Sequence, residues 1–249
     1  LCSQGVAEQA RGGQQIQVTV AIDVEQGLAP AVGGGDAGLV IAALKGAIAL
    51  APIKTSGPPG VDRADHQIQM AVVVDVPEAI WHNVPGGREL LYLAHTHIPT
   101  TWDRQQTSLP PLEWERLRGG GLQVERVLPN QVAFGARMIP GPDAIRMELW
   151  IRNGSEQTLA GLRVQNCVML RNARGFNQQN TDHHHVHGPF IAAANASQDR
   201  WIIVAWDHND RAWGNSYCPC MHSDPKFPDC PPGETRILRG WLSVYQGQD

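Results

Sequence analysis

The first eighty residues contain no Phe, Tyr or Trp, and every aromatic side chain lies from Trp81 onward. At the chain's 6% aromatic content about five would fall there, and aromatics dominate core energetics. An aromatic-anchored core is therefore excluded from the N-terminal third. Charge is scarce as well. Charged residues make up 18% of the chain, the formal net charge is −4, and the basic residues are scattered, so no electrostatic case for a nucleic-acid partner arises. No run reaches the ~18 apolar residues that a membrane helix needs; the most apolar window, 38–53, is interrupted by Lys45. No membrane partner is expected. The first residues, LCSQGVAEQARGG, lack the basic-then-apolar layout of a secretion signal, and the sequence leaves both compartment and oligomeric state open. The five cysteines are an odd number, too few for a disulfide scaffold of this size. A Gly-rich phosphate loop, a nucleophile elbow and a His-Glu-x-x-His helix are all missing, which removes the commonest nucleotide, ester and zinc-peptidase chemistries.

What is present divides near residue 85. The N-terminal part is Ala, Val, Gly and Gln text that repeats itself, Gln15-Ile-Gln-Val-Thr-Val-Ala-Ile-Asp-Val24 returning as Gln67-Ile-Gln-Met-Ala-Val-Val-Val-Asp-Val76. Both copies read as strands, and 37–50 fits either a helix or a buried strand pair. Residues 1–85 read either as a small repeat-bearing module or as a stretch that is not a native domain. Residues 86–249 read as a β-sandwich domain. Strands are expected at 122–128, 131–138, 144–152, 161–170, 189–194, 201–206 and 235–245, separated by turn text such as Pro129-Asn130, Pro140-Gly-Pro-Asp143 and Asn153-Gly154. Many short strands with turn signals and little helical period point to a mainly β fold, an antiparallel β-sandwich of jelly-roll or mutarotase-like type. Asn153-Gly154 predicts a hairpin. Within it Met147, Leu149 and Ile151 face the core, while Arg146, Glu148, Trp150 and Arg152 face away; on the return strand Leu162, Val164, Val168 and Leu170 share a face with Asn166. The outward mixture of Arg, Glu, Trp and Gln suits either a polar-ligand cleft or a solvated surface.

The densest collection of ligand-type side chains is NSYCPCMHSDPKFPDCPPG, 215–233. In an extended segment Cys218, Cys220 and His222 project to one side, and Cys230 can return as a fourth donor, completing the Cys₃His set of structural zinc. Paired zinc ligands usually stand two to four residues apart and here only one intervenes, so a disulfide at Cys230 or plain buried thiols stay open. In Thr181-Asp182-His183-His184-His185-Val186-His187 alternation groups His183, His185 and His187, either as a transition-metal triplet or as a His-rich surface loop. His95-x-His97 with Asp103 is a third set.

Gly161-Leu-Arg-Val-Gln-Asn-Cys-Val-Met-Leu170, His222-Ser-Asp-Pro-Lys-Phe-Pro-Asp-Cys-Pro-Pro-Gly-Glu-Thr235, Arg239-Gly-Trp-Leu-Ser-Val-Tyr245 and His95-Thr-His-Ile-Pro-Thr-Thr-Trp-Asp103 resemble an uncharacterised family of bacterial proteins, over about residues 89–249. A broader likeness runs to galactose-mutarotase-like sandwiches, where a strand ending in Asn-Gly leads into a second strand and Pro-Gly-Glu-Thr opens the last one. That resemblance implies a sugar-facing cleft, although the catalytic His and Glu pattern of mutarotases is not matched.

The function expected is therefore carbohydrate-related, a binding module or a sugar-active enzyme. Trp150, Trp206 and Trp213 would supply stacking faces, and Arg146, Arg163, His222 and Asp224 would fix hydroxyls, with His95 and His97 beside them. A metal-dependent sandwich enzyme using the His/Cys cluster and a purely structural module are the alternatives.

Overall fold

A computed structural model describes residues 18–23, 39–44, 47–52, 69–95, 98–141 and 144–247. It is a two-sheet antiparallel β-sandwich, as the turn-punctuated text predicts. The elements are β1 (Val18–Asp23), β2 (Leu39–Leu44), β3 (Ala47–Pro52), β4 (Gln69–Val84), β5 (Gly87–Leu93), a short helix α1 (Thr101–Arg104), β6 (Glu115–Arg116), β7 (Leu122–Val127), β8 (Val132–Pro140) and β9 (Ala144–Asn153). They continue with β10 (Arg163–Asn172), β11 (His184–His187), β12 (Phe190–Ala194), β13 (Arg200–Trp206), β14 (Asn209–Asn215), β15 (Cys220–Pro225) and β16 (Thr235–Gln246). One sheet runs β1-β4-β10-β15-β14, with β5 also paired to β4; the other runs β11-β12-β13-β16-β9-β8-β7-β6. The ambiguous 37–50 text is a strand pair, β2 with β3. The two repeat copies pair with each other, Val18 opposite Val74 and Ile22 opposite Met70. The expected boundary after residue 85 falls in the turn between β4 and β5, and β4 lies against β10 in the six-stranded sheet. No helix among the described residues is long and apolar enough to cross a membrane.

Alternation sets the core. Val72, Val74, Val164, Val168, Leu170 and Met221 of one sheet meet Phe134, Met147, Leu149, Ile151, Val204 and Leu242 of the other, all buried in one cluster. The hairpin predicted at Asn153-Gly154 does not form. β9 pairs with β8 and β16, whereas β10 pairs with β4 and β15, so the chain crosses there from one sheet to the other. The fully buried Asn153 fixes the crossing. Its Nδ2 donates to the carbonyls of Gln157 and Cys230 at 2.7 Å, and its Oδ1 accepts from Ser155 N at 3.0 Å. A Cβ on Gly154 would stand 2.3 Å from the Gln131 carbonyl, so the glycine serves close backbone approach and not a hairpin.

Candidate functional site

Each sheet turns one face outward, and the two faces differ. On the six-stranded sheet, period-two alternation along β15 sends Cys220, His222 and Asp224 to the side away from Met221, which is in the core. The β14 register sets Asn215 opposite Cys220, Trp213 opposite His222 and Arg211 opposite Asp224. From β10 and β4 come Gln165, Cys167, Asp75 and Glu78, with a register shift between Gln165 and Cys167. That bulge turns the Asn166 main chain to the site, as bulges beside functional residues often do. Asn166 N–H donates to Asp224 Oδ1 at 3.0 Å, and its carbonyl accepts from His222 Nδ1 at 2.7 Å.

A carbonyl only accepts, so Nδ1 of His222 carries a proton and Nε2 is directed at Cys220 Sγ, 3.2 Å away. Trp213 stacks on the imidazole, centroids 4.0 Å apart and planes 6° from parallel, and the Arg211 guanidinium lies over the indole at 4.9 Å. Asp224, buried, also accepts from Arg211 Nε and Trp213 Nε1, each at 2.8 Å. On the other side His95 Nε2 meets the buried Asp75 Oδ2 at 2.9 Å, and Gln165 Nε2 donates to Glu78 Oε2 at 2.8 Å.

The hydrogen bond from Cys167 drives the Cys220 thiol down to about 5, against burial and helped by His222 and Asn215. The same contact, with burial, pushes Cys167 well up. Burial pulls His222 down, yet Cys220, Asp224 and Glu78 outweigh it and the net shift is upward. These shifts favour a thiolate at Cys220 and a protonated His222, beside a Cys167 that keeps its proton. Burial raises Glu78, and the hydrogen bond to Asp75 raises His95. The ligand atoms of Cys167, Cys220 and His222 all lie within 4.8 Å of one another, the only such group of three among the described residues, and this group can hold a metal ion.

The outer face of the eight-stranded sheet is open. Trp150 pairs with Gly135, and a Cβ there would lie 2.2 Å from Trp150 Cζ2 and 2.5 Å from Cε2, so the indole lies across the bare glycine backbone. Trp150 Nε1 donates to Glu125 Oε2 at 3.1 Å, and Arg152 pairs with the same carboxylate. The next row is polar, Arg239 opposite Glu148 and Glu148 opposite Arg137, whose guanidinium also binds Gln123. Beyond it Trp241, opposite Arg146, is 45% exposed.

The expected site residues therefore divide. Trp213, His222, Asp224 and His95 come together on the six-stranded sheet. His97 lies outside the described residues. Arg163 pairs with Asp210 at 2.8 Å at the start of β10. Arg146 and Trp150 stand on the other sheet. Trp206 is in the core, across Gly240, with no face toward a ligand. Of the four cysteine-stretch donors, Cys220 and His222 join the three-donor group. Cys218, which is not a free thiol, packs in one buried cluster with Cys167, Cys220 and Met169 but is not one of the three donors, and Cys230 is in the main core, its thiol donating to the Glu234 carbonyl at 3.2 Å. The His183–His187 stretch ends in an edge strand. His185 rests against Trp201 and His187 stacks on Phe190. Asp75, Glu78, Gln165, Cys167 and Arg211 carry no motif. Only the outward placement of Gln165 and Cys167 was readable, and their partners follow from register.

No family model matches the chain, and no curated protein matches it. Solved structures align with the chain at low similarity. A protein of Synechocystis sp. PCC 6803 aligns over 71% of this chain and 78% of its own, at 11% identity and a TM-score of 0.43. A galactose mutarotase related enzyme from Lactobacillus acidophilus aligns over 72% and 84%, at 9% identity and a TM-score of 0.45. A protein named as a kojibiose phosphorylase from the human microbiome aligns over 71% of this chain but 23% of its own length, at 8% identity and a TM-score of 0.41. Two of these are named for carbohydrate chemistry, and likenesses this remote leave function to the site itself.

Proposed function

We propose that this is a carbohydrate-binding β-sandwich protein whose ligand lies on the outer face of the eight-stranded sheet. The observation that carries the reading is the Trp150 indole laid across Gly135, rimmed by Arg152, Glu125 and Arg137. A sugar ring presents an apolar C–H face and a belt of hydroxyls that both donate and accept. A flat aromatic ring ringed by guanidinium and carboxylate groups matches both features. Trp241 lies four residues along β16 from Ile237, the partner of Trp150, which is roughly 13 Å of strand. The Arg239–Glu148–Arg137 row fills the interval. Two indoles so spaced fit an oligosaccharide better than a monosaccharide. A glycan array probed with the intact protein tests this. The expected result is binding to oligosaccharides that weakens by about 1–3 kcal/mol on Trp150→Ala, as for one lost anchor. An array without hits at millimolar ligand counts against it.

A second reading, a metal-dependent enzyme with zinc as its ion, is favoured by the Cys167, Cys220 and His222 donor group.

A further inference from the structure

We propose that Cys167, Cys220 and His222 are the ligands of one zinc(II) ion held on the outer face of the six-stranded sheet. The inference rests on the metal reading above and fixes its donors. Two of them come from β15 and one from β10, neighbouring strands locked together by Val168 opposite Met221.

Four observations carry it. The three donor atoms are already gathered within 4.8 Å, with Cys220 Sγ 3.2 Å from His222 Nε2. Zinc–sulfur and zinc–nitrogen bonds of about 2.3 and 2.0–2.1 Å place two ligands of one tetrahedral ion roughly 3.5 Å apart, a few tenths of an ångström more than the present Cys220–His222 separation. The imidazole is held in the ligating tautomer, since Nδ1–H donates to the Asn166 carbonyl at 2.7 Å and leaves Nε2 toward the sulfurs. A hydrogen bond behind the ring is the usual companion of a metal-bound histidine. Trp213 stacked on the ring fixes its plane as well. The donor set is soft, which favours zinc over calcium or magnesium.

Metal-binding cysteines act as thiolates, so the two sulfur donors balance the charge of a divalent ion, whereas a monovalent ion such as copper(I) would leave a net negative charge in a buried group, at high cost. Three protein donors also leave a fourth tetrahedral position, the arrangement of zinc sites that admit water or substrate and not of closed structural ones.

Cobalt(II) titration of the metal-stripped full chain, kept under argon without added reductant so that Cys218 stays bonded, tests the assignment. About one equivalent should bind with a thiolate-to-cobalt charge-transfer band, and zinc(II) should displace it. Cys167→Ser and Cys220→Ser should each weaken cobalt binding by more than the ~100-fold that losing a group behind a ligand costs, while Cys230→Ser should leave it unchanged. A band indifferent to Cys167→Ser, or lost in Cys230→Ser, overturns the ligand assignment while keeping a metal site. No band in the unaltered chain overturns both. Cys167 is fully buried, and its serine variant can misfold for unrelated reasons. Cadmium NMR of the unaltered protein therefore gives an independent answer. A resonance in the two-sulfur range supports the site, and one in the nitrogen–oxygen range, or none, overturns it.

Discussion

The outer faces of the two sheets are written in nearly the same letters and behave differently. β9 turns Arg146, Glu148, Trp150 and Arg152 outward; β10 turns Arg163, Gln165 and Cys167 outward, beside Arg211, Trp213 and Asp224. On the eight-stranded sheet these groups are wet. Arg152 and Glu125, 3.3 Å apart, are 51% and 40% exposed, and such a pair is screened by water. On the six-stranded sheet Asp224 is 3% exposed and takes hydrogen bonds from Asn166, Arg211 and Trp213. A covered polar face has to satisfy itself internally. The open face keeps an indole and its polar rim available to a ligand, whereas the covered face spends its groups on one another and gathers sulfur and imidazole into a small volume. On these proposals recognition belongs to the first face and an ion to the second.

The sharpest way to break this comparison is to remove a carboxylate from the covered face. Asp224→Ala strands the Trp213 and Asn166 N–H groups and should cost about 3 kcal/mol in chemical denaturation; a cost under 1 kcal/mol would mean that the face is solvated like the other. Gly135→Ala comes next. Its new Cβ would lie 2.5 Å from the Val124 carbonyl as well as against Trp150, so a loss of about 1–3 kcal/mol is expected, together with a shift in tryptophan emission as Trp150 lifts. An alanine tolerated without change in either signal would show that the indole does not lie across the glycine.

His95→Asn should cost about 1–2 kcal/mol, the range for a hydrogen bond to a charged partner, and only on the acid side. The hydrogen bond to Asp75 raises His95 above its ordinary 6.5, aided by Glu78 and Cys220 and opposed by burial. Its stabilisation is therefore complete below about pH 6.5 and fades as the pH climbs through the raised value. Melting temperatures of both chains across this range should converge at alkaline pH; a gap that widens there contradicts the assignment. The smallest effect belongs to Arg152→Ala, within about 0.5 kcal/mol of the parent, and a larger loss would show the open face to be structurally tighter than its exposure suggests.

Much of this was legible in the letters. Alternation in 144–152 separates Met147, Leu149 and Ile151 from Trp150 and its neighbours, and the structure keeps that division. The i, i+2 spacing of Cys220 and His222 puts them on one face, where they are found. Register was not legible, because local sequence does not name the partner strand. Cys167 therefore looked like one outward residue among several, and Cys230, close in sequence to His222, is held elsewhere by its bridge to Leu159. Asn153-Gly154 misled for a related reason, since the same dipeptide serves a hairpin or a close-packed crossing and only the surroundings decide. Burial separates Trp206 from Trp150, although each alternates like a strand residue; Trp206 faces the other sheet and Trp150 faces out.

The most direct test of the recognition surface is to measure, by calorimetry, an array-identified oligosaccharide against the parent chain, Trp150→Ala and Trp213→Ala. The ring of Trp213 is already engaged by His222 and Arg211, so Trp213→Ala should leave affinity unchanged while Trp150→Ala weakens it by about 1–3 kcal/mol. Affinity that falls with Trp213→Ala and ignores Trp150→Ala would place the ligand on the other sheet and contradict the account.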